Sequence, residues 1–159
     1  MTIQPALEDL SALLGQRLSH SRSDLDQHGA SETHFPLTPP DAVAYPETTE
    51  EVSEIGKICA RHGCPVVGWG AGTSLEGQAQ AFQGAISVDF REMHKILWVD
   101  AEDMDVSFQP GITREALTTA PRATGRFFPA DPGATASPAG MASPRAIGTA
   151  PLRNGNTRA

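Results

Sequence analysis

The stretch Gly68–Gln78, GWGAGTSLEGQ, decides how this chain is interpreted. It follows the apolar run CPVV and carries four glycines, at positions 68, 70, 72 and 77. Glycine at this density indicates backbone that bends sharply or comes very close to another group. The small residues here, with the hydroxyls of Thr73 and Ser74, can turn several N–H groups inward as a nest for an anion. A loop that merely crosses close to neighbouring backbone stays the alternative at this point.

Two familiar phosphate motifs do not fit this stretch. A Walker A loop needs G-x-x-x-x-G-K-[ST], and Gly72 and Gly77 have that spacing, but Gln78 stands where the lysine should be. A Rossmann fingerprint needs G-x-G-x-x-G. Gly70 and Gly72 fit its first two glycines, but Leu75 stands where the third glycine should be. The following GQAQAFQG also lacks the apolar period of a crossover helix. Neither nucleoside triphosphate hydrolysis nor a Rossmann domain is expected.

The segments around the loop predict a mixture of helices and strands. The spacing of Thr48 and Glu51 is that of a capping box, and Gly63 is a helix stop. Residues 19–40 are polar and end in two prolines, so they predict an extended connector. Helices are predicted over residues 5–18, 48–62 and 113–120, and strands over 42–46, 65–69, 85–90, 95–100 and 104–110. This order indicates an α+β or mixed α/β domain.

Composition excludes several classes of function. The 159 residues suggest one domain or part of a larger one, and a net charge of −7 argues against a nucleic-acid partner. Two cysteines cannot form a disulfide framework and fit reduced thiols in the cytoplasm. No signal peptide or apolar run of transmembrane length is present in the sequence. The scattered histidines and cysteines predict no metal site.

Five segments follow one another with the order and spacing of a known family: PDAVAYPETTEEV, PVVGWGAGTSLEGQ, GAISVDFREMHKIL, DMDVSFQPGITREAL and RFFPADPGATA. They resemble the FAD-binding domain of the vanillyl-alcohol oxidase / p-cresol methylhydroxylase (PCMH-type) family, in the branch of D-lactate dehydrogenases and glycolate oxidase subunits. The resemblance implies the N-terminal portion of an α+β, PCMH-type fold. A small parallel or mixed sheet with helices would precede part of an antiparallel sheet. Residues 1–37 would form an N-terminal helix and connector, and 38–159 an FAD-binding domain that is incomplete at its C-terminus.

The same resemblance implies the cofactor site. A first loop would hold the FAD pyrophosphate, and a second segment would also contact the cofactor. Some relatives bind FAD covalently through a histidine where this chain has Thr73, so FAD is expected to be non-covalent here. Pro138 and Pro144 remove backbone donors, so weak binding is expected. The implied FAD-binding residues are Gly70, Ala71, Gly72, Thr73, Ser74 and Gly77 in the loop, and Pro129, Asp131, Pro132, Gly133, Ser137, Gly140 and Ser143 in the second segment.

The implied function is that of the FAD-binding portion of a flavin-dependent 2-hydroxy acid dehydrogenase, a flavoprotein oxidoreductase of the D-lactate or glycolate type. The family's histidine base and carboxylate-binding arginines match no residue of this sequence, so no catalytic residue is expected. Two alternatives stay open. The chain is a non-catalytic remnant or binding module that has lost flavin, or it is one chain of a split flavoenzyme whose cap domain a separate chain supplies.

Overall fold

The structure, a computed structural model, describes residues 3–81, 84–119, 125–126, 128–129 and 135–143. The chain divides into two compact units, Met1–Glu92 and Met93–Ala159. The domain boundary expected near residue 38 stays a prediction.

The first unit is built on a four-stranded sheet with the strand order β1-β2-β4-β3. Strand β1 runs antiparallel to β2, whereas β2 and β3 both run parallel to β4, which lies between them. The elements of this unit are α1 (Gln4–Leu14), a 3-10 turn (Gly15–Arg17), β1 (Leu18–Ser19), α2 (Arg22–Gly29), β2 (Ala42–Ala44), α3 (Thr49–His62), β3 (Val66–Trp69) and β4 (Ile86–Asp89).

Local sequence signals set both ends of α3, as predicted. The Thr48 hydroxyl accepts a hydrogen bond from the backbone N–H of Glu51 at 3.2 Å, which satisfies a donor that the first turn leaves unpaired. At the other end Gly63 adopts a left-handed conformation with φ 63°. Glycine adopts this conformation without the penalty that a Cβ atom brings, so the helix stops there.

The two faces of the sheet bury different chemistry. Because successive strand residues point to opposite faces, Ile86 and Val88 face one side, whereas Ser87 and Asp89 face the other. The first face packs against α1 and α3 in a cluster of Leu10, Leu14, Leu18, Ala42, Ala44, Ile55, Ile58, Cys59, Ile86 and Val88. The second face meets α2, where the buried ring of His28 reaches Asp89. Polar groups are therefore concentrated on one face only.

Helix α2 corrects the expectation of an extended connector over residues 19–40. Ser21 caps its start by accepting from the N–H of Asp24, and Arg22 pairs with Asp26 one turn later at 2.9 Å. The helix has no apolar stripe, because its buried residues are His28 and Gly29. It is held by its cap and by a polar contact, which hydrophobic periodicity does not reveal.

The second unit contains an antiparallel pair of strands, β5 (Ile96–Asp100) and β6 (Asp105–Phe108), followed by α4 (Arg114–Thr119) and α5 (Pro138–Ala142). The hairpin and α4 were predicted, whereas α5 was not. Pro138 occupies the first turn of α5, where its missing N–H costs no helical hydrogen bond. Among the described residues, no helix has the length and apolar character that a membrane crossing requires.

Candidate functional site

The glycine loop, residues 70–78, leaves β3 at its carboxyl end and leads to the parallel strand β4. In the described part of this crossover, residues 70–81 and 84–85, the chain forms no helix. The carboxyl ends of parallel strands are where α/β sheets place their ligands. The loop therefore lies where a binding site is expected, although the Rossmann crossover helix is missing there.

Two positions in this loop require glycine. Gly72 has φ 70°, and a Cβ atom there would lie 3.0 Å from Cε2 of Trp69 and closer still to Cζ2. Gly77 has φ 81°, and a Cβ atom there would lie 2.9 Å from the Phe35 ring. Both residues combine a left-handed backbone with a close aromatic neighbour, so the loop turns tightly against the buried Trp69 ring and the partly exposed Phe35 ring.

The backbone amides of the loop fit an anionic group. No N–H of residues 71 to 76 donates to a carbonyl of the described chain. Ala71 and Thr73 are exposed, and Ser74 is half-buried. Unpaired amides beside small side chains form the kind of nest that accepts phosphate oxygens. The donor set therefore suits the pyrophosphate that the sequence predicted here.

Side chains stabilise the far half of the loop. The Ser74 hydroxyl donates to the amide oxygen of Gln78, and the Ser74 carbonyl accepts from the Ser31 hydroxyl at 3.0 Å. The Gln78 amide in turn donates to the Glu76 carboxylate at 3.2 Å. Ser74 thus engages the protein through its hydroxyl and its carbonyl, whereas its N–H donates to no carbonyl within the described part of the chain.

A buried polar cluster lies beneath the loop, and sequence reasoning missed it. The Nε2 atom of His28 lies 2.8 Å from Oδ2 of Asp89, and Arg91 donates to the same carboxylate from its backbone and from its guanidinium. Burial tends to raise the pKa of Asp89, but the hydrogen bonds from His28 and Arg91 outweigh it and hold this pKa below its usual value. The guanidinium of Arg91 also lies over the ring of Tyr45, at 5.1 Å from its centroid.

From the sequence, His28 is one of the scattered histidines and no role is predicted for Asp89. One signal was available, since Asp89 places a charged side chain at the end of the strand Ile86–Asp89, directly after Val88 and before Phe90. Its partner His28 lies 61 residues earlier in a segment without apolar periodicity, so nothing local pointed to the pair.

The second predicted segment is described only in part. Asp131, Pro132 and Gly133 lie outside the described residues. The hydroxyl of Ser137 accepts from the N–H of Gly140 at 3.2 Å and thereby caps α5. The described residues of this segment that the sequence assigned to FAD are Pro129, Ser137, Gly140 and Ser143, of which Ser137 is buried and the other three are exposed. Their role in cofactor binding stays a prediction.

Comparison with protein families gives a match over most of the chain. A family described as "FAD binding domain" matches residues 40–159. A probable mitochondrial D-lactate dehydrogenase of Danio rerio is 43% identical over 133 residues, which are 84% of this chain and 27% of that protein. A mitochondrial D-lactate dehydrogenase (cytochrome) of Arabidopsis thaliana is 34% identical over 96% of this chain and 27% of its own length. The glycolate oxidase subunit GlcD of Bacillus subtilis is 38% identical over 58% of this chain and 20% of its own.

Solved structures show the same fold. An alkyldihydroxyacetonephosphate synthase superposes with a TM-score of 0.87 at 21% identity and covers 98% of this chain and 34% of its own. A p-cresol methylhydroxylase superposes with a TM-score of 0.80 at 23% identity and covers 91% of this chain and 30% of its own. The PCMH-type fold expected from the sequence is thereby confirmed. The chain spans about a quarter of the length of the D-lactate dehydrogenases that it matches.

Proposed function

This chain belongs to the FAD binding domain family, and from that premise we propose that it holds the cofactor of a flavin-dependent 2-hydroxy acid dehydrogenase of the D-lactate or glycolate type. The cofactor is FAD, as the family and the flavin oxidoreductase relatives indicate. The substrate class and the activity of a whole enzyme are inferred from the D-lactate dehydrogenases and the glycolate oxidase subunit, of which the chain covers a minor share.

The observation that carries this proposal is a set of backbone amides, at residues 71 to 76, that donate to no carbonyl of the described residues and lie at the carboxyl end of a parallel strand pair. These amides would hold the FAD pyrophosphate, and the exposed Thr73 hydroxyl adds a further donor. When bound, FAD supplies the group that accepts a hydride from the substrate carbon. The part of this chain in that chemistry is to bind and orient the cofactor.

More polypeptide is part of the enzyme that we propose, either as a continuation of a longer protein or as a separate chain. The hairpin supports this, because Leu97, Trp98 and Val99 on β5 are 59%, 52% and 41% exposed. Three large apolar side chains exposed on one short strand are consistent with a surface that another segment covers. For the location we propose the cytoplasm, which is supported by two cysteines that are both free.

The test is a titration of the purified 159-residue chain with FAD, in which the quenching of flavin fluorescence reports binding. Riboflavin, which lacks the pyrophosphate, is the matched control ligand. We expect FAD to bind and riboflavin to bind at least about tenfold more weakly, a difference of ~1.4 kcal/mol. Equal binding of the two ligands would overturn the role of the loop. No binding of FAD would favour a module that has lost flavin.

A further inference from the structure

We propose that His28 and Asp89 are positioning residues for the glycine loop, and that they set its affinity for pyrophosphate ligands through the ring of Trp69. This inference rests on the proposed role of the loop in binding FAD. It adds a function for a buried polar pair that lies beneath the loop and has no direct access to a ligand.

Hydrogen bonds on both sides fix the ring of His28. Its Nδ1 atom lies 2.8 Å from the backbone carbonyl oxygen of Asp24, and its Nε2 atom lies 2.8 Å from Oδ2 of Asp89. The two contacts lie on opposite sides of the ring, so together they hold it in one orientation. With 0% exposure the ring has no other position to adopt.

Asp89 is itself immobilised. Its Oδ1 atom accepts from the backbone N–H of Arg91 at 2.9 Å, and its Oδ2 atom accepts from Nε of Arg91 at 2.8 Å in addition to His28. Charge-assisted bonds of this kind are stronger and more directional than neutral ones. The carboxylate therefore joins the end of β4 rigidly to α2.

The ring of His28 contacts that of Trp69, the last residue of β3. The indole ring lies 4.6 Å from the His28 ring, centroid to centroid, and is 5% exposed. The Trp69 carbonyl also accepts from the N–H of Phe90, next to Asp89, at 3.1 Å. The indole is thus held by its backbone and by the imidazole beneath it.

Trp69 is in turn linked to the loop. Gly72 lies so close to the indole that even a methyl group at this position would collide with it. With φ 70° this glycine starts the turn that exposes the amides of residues 71 to 76. A displaced indole would therefore displace the donors that we assign to the pyrophosphate.

A purely structural role for the pair predicts a different result, and the chain offers matched controls. His62 donates to Asp9 at 2.9 Å in the same unit, but this pair joins α3 to α1 and touches no residue of the loop. Val43 is fully buried in the neighbouring strand β2, and Val43→Ala lowers stability but removes no hydrogen bond of His28 or Asp89. Both variants report what a general loss of stability does to binding.

The experiment measures dissociation constants for FAD, ADP and riboflavin in the full 159-residue chain carrying Trp98→Phe, which leaves Trp69 as the sole tryptophan. We expect His28→Gln and Asp89→Asn each to weaken the binding of FAD and of ADP by about tenfold or more and to shift the fluorescence emission of Trp69. The binding of riboflavin should be unchanged. His62→Gln and Val43→Ala should change FAD binding less than about twofold at temperatures where all variants are folded.

Three results separate this inference from the proposed function. If the parent chain binds no FAD, the proposed function itself fails. If the parent binds FAD and both His28→Gln and Asp89→Asn bind it equally well, the positioning role is wrong. If these variants lose affinity for riboflavin as much as for ADP, or only in proportion to the loss of stability that Val43→Ala also shows, the pair is merely structural. Should His28→Gln not fold, Asp89→Asn decides the matter, since it keeps the size of the side chain.

Discussion

Arg17 and Glu51 are 34 residues apart in sequence and form a two-point ion pair, in which NH1 lies 2.6 Å from Oε2 and NH2 lies 2.5 Å from Oε1. Arg17 also donates to the carbonyl of Tyr45 at 3.3 Å. The pair ties the turn after α1 to the first turn of α3. The hydrogen bonds from Arg17 outweigh the effect of burial and lower the pKa of Glu51 to about 2.

This pair should make the first unit sensitive to acid. Because the pKa of Glu51 is lower in the folded chain than in the unfolded chain, its contribution to stability is present above about pH 5 and is lost as the pH falls towards 2. Glu51→Gln should lower the free energy of unfolding by about 1–2 kcal/mol at pH 7 and by much less at pH 2.5, as measured by urea unfolding. The figure allows for partial exposure of both side chains.

The control for this prediction is Glu54→Gln. Glu54 lies in the same helix and pairs with Lys57 at 2.6 Å, but its side chain is 48% exposed. An exposed pair contributes less than about 0.5 kcal/mol, so this variant should be close to the parent at both pH values. An equal loss for both glutamates, or a Glu51→Gln effect that persists at pH 2.5, would contradict the role assigned to the Arg17 contact.

Alanine substitutions at two glycines should have opposite effects. Gly72→Ala places a methyl group against the Trp69 ring in a left-handed backbone, so it should cost about 2 kcal/mol or more of unfolding free energy and weaken FAD binding. Gly56→Ala lies inside α3 with nothing within 4 Å, so it should raise stability by about 0.5–1 kcal/mol. Thermal unfolding followed by circular dichroism gives both values, and a tolerated Gly72→Ala would show that the loop is not constrained as described.

Flavin should leave the protein completely on acid precipitation. The resemblance described above would put Thr73 where some family members bind FAD covalently through a histidine, and threonine has no nucleophilic nitrogen for that bond. The chain is saturated with FAD, treated with trichloroacetic acid and centrifuged, next to a flavoprotein with histidyl-linked FAD. All flavin absorbance should be in the supernatant for this chain and in the pellet for the control protein. Colour in the pellet of this chain would refute the non-covalent assignment.

Two serines in the first unit should respond differently to alanine. The hydroxyl of Ser87 is fully buried and has no hydrogen-bond partner among the described residues, so Ser87→Ala should leave the free energy of unfolding unchanged or raise it by up to about 1 kcal/mol. The Ser21 hydroxyl caps α2 by accepting from the N–H of Asp24, so Ser21→Ala should lower the free energy of unfolding by about 1 kcal/mol. A large loss in Ser87→Ala would mean that this hydroxyl has a partner after all.

Much of the fold could be predicted because its signals are local. Thr48 and Gly63 bound α3, the apolar runs gave β2 to β6, and the glycine density marked the loop at the end of β3. The amides of the loop agree with the nest that the sequence predicts, since consecutive small residues leave the backbone accessible, and their role in binding FAD stays a prediction.

The rest depends on contacts between distant residues. Helix α2 buries His28 rather than an apolar stripe. The contact between His28 and Asp89 forms only once β4 has paired in the sheet, so the sequence alone does not reveal it. The two-residue strand β1 is defined by its pairing with β2, since Leu18 and Ser19 alone carry no strand pattern. A hydrogen bond between residues 61 positions apart leaves no periodic pattern, so the contact beneath the loop could not be derived from sequence.

The strand order β1-β2-β4-β3 has a consequence for how this chain is made on the ribosome. Strands β2 and β3 do not pair with each other, and each depends on β4, the last strand of this sheet in sequence. A nascent chain shorter than about 85 residues can therefore form the helices and the antiparallel β1–β2 pair. It has no parallel strand pair against which the core can pack. Pairings of this sequence separation form slowly, because loop closure precedes any gain from burial. We expect the first unit to resist protease during synthesis only after Asp89 has left the exit tunnel, and then in a single step.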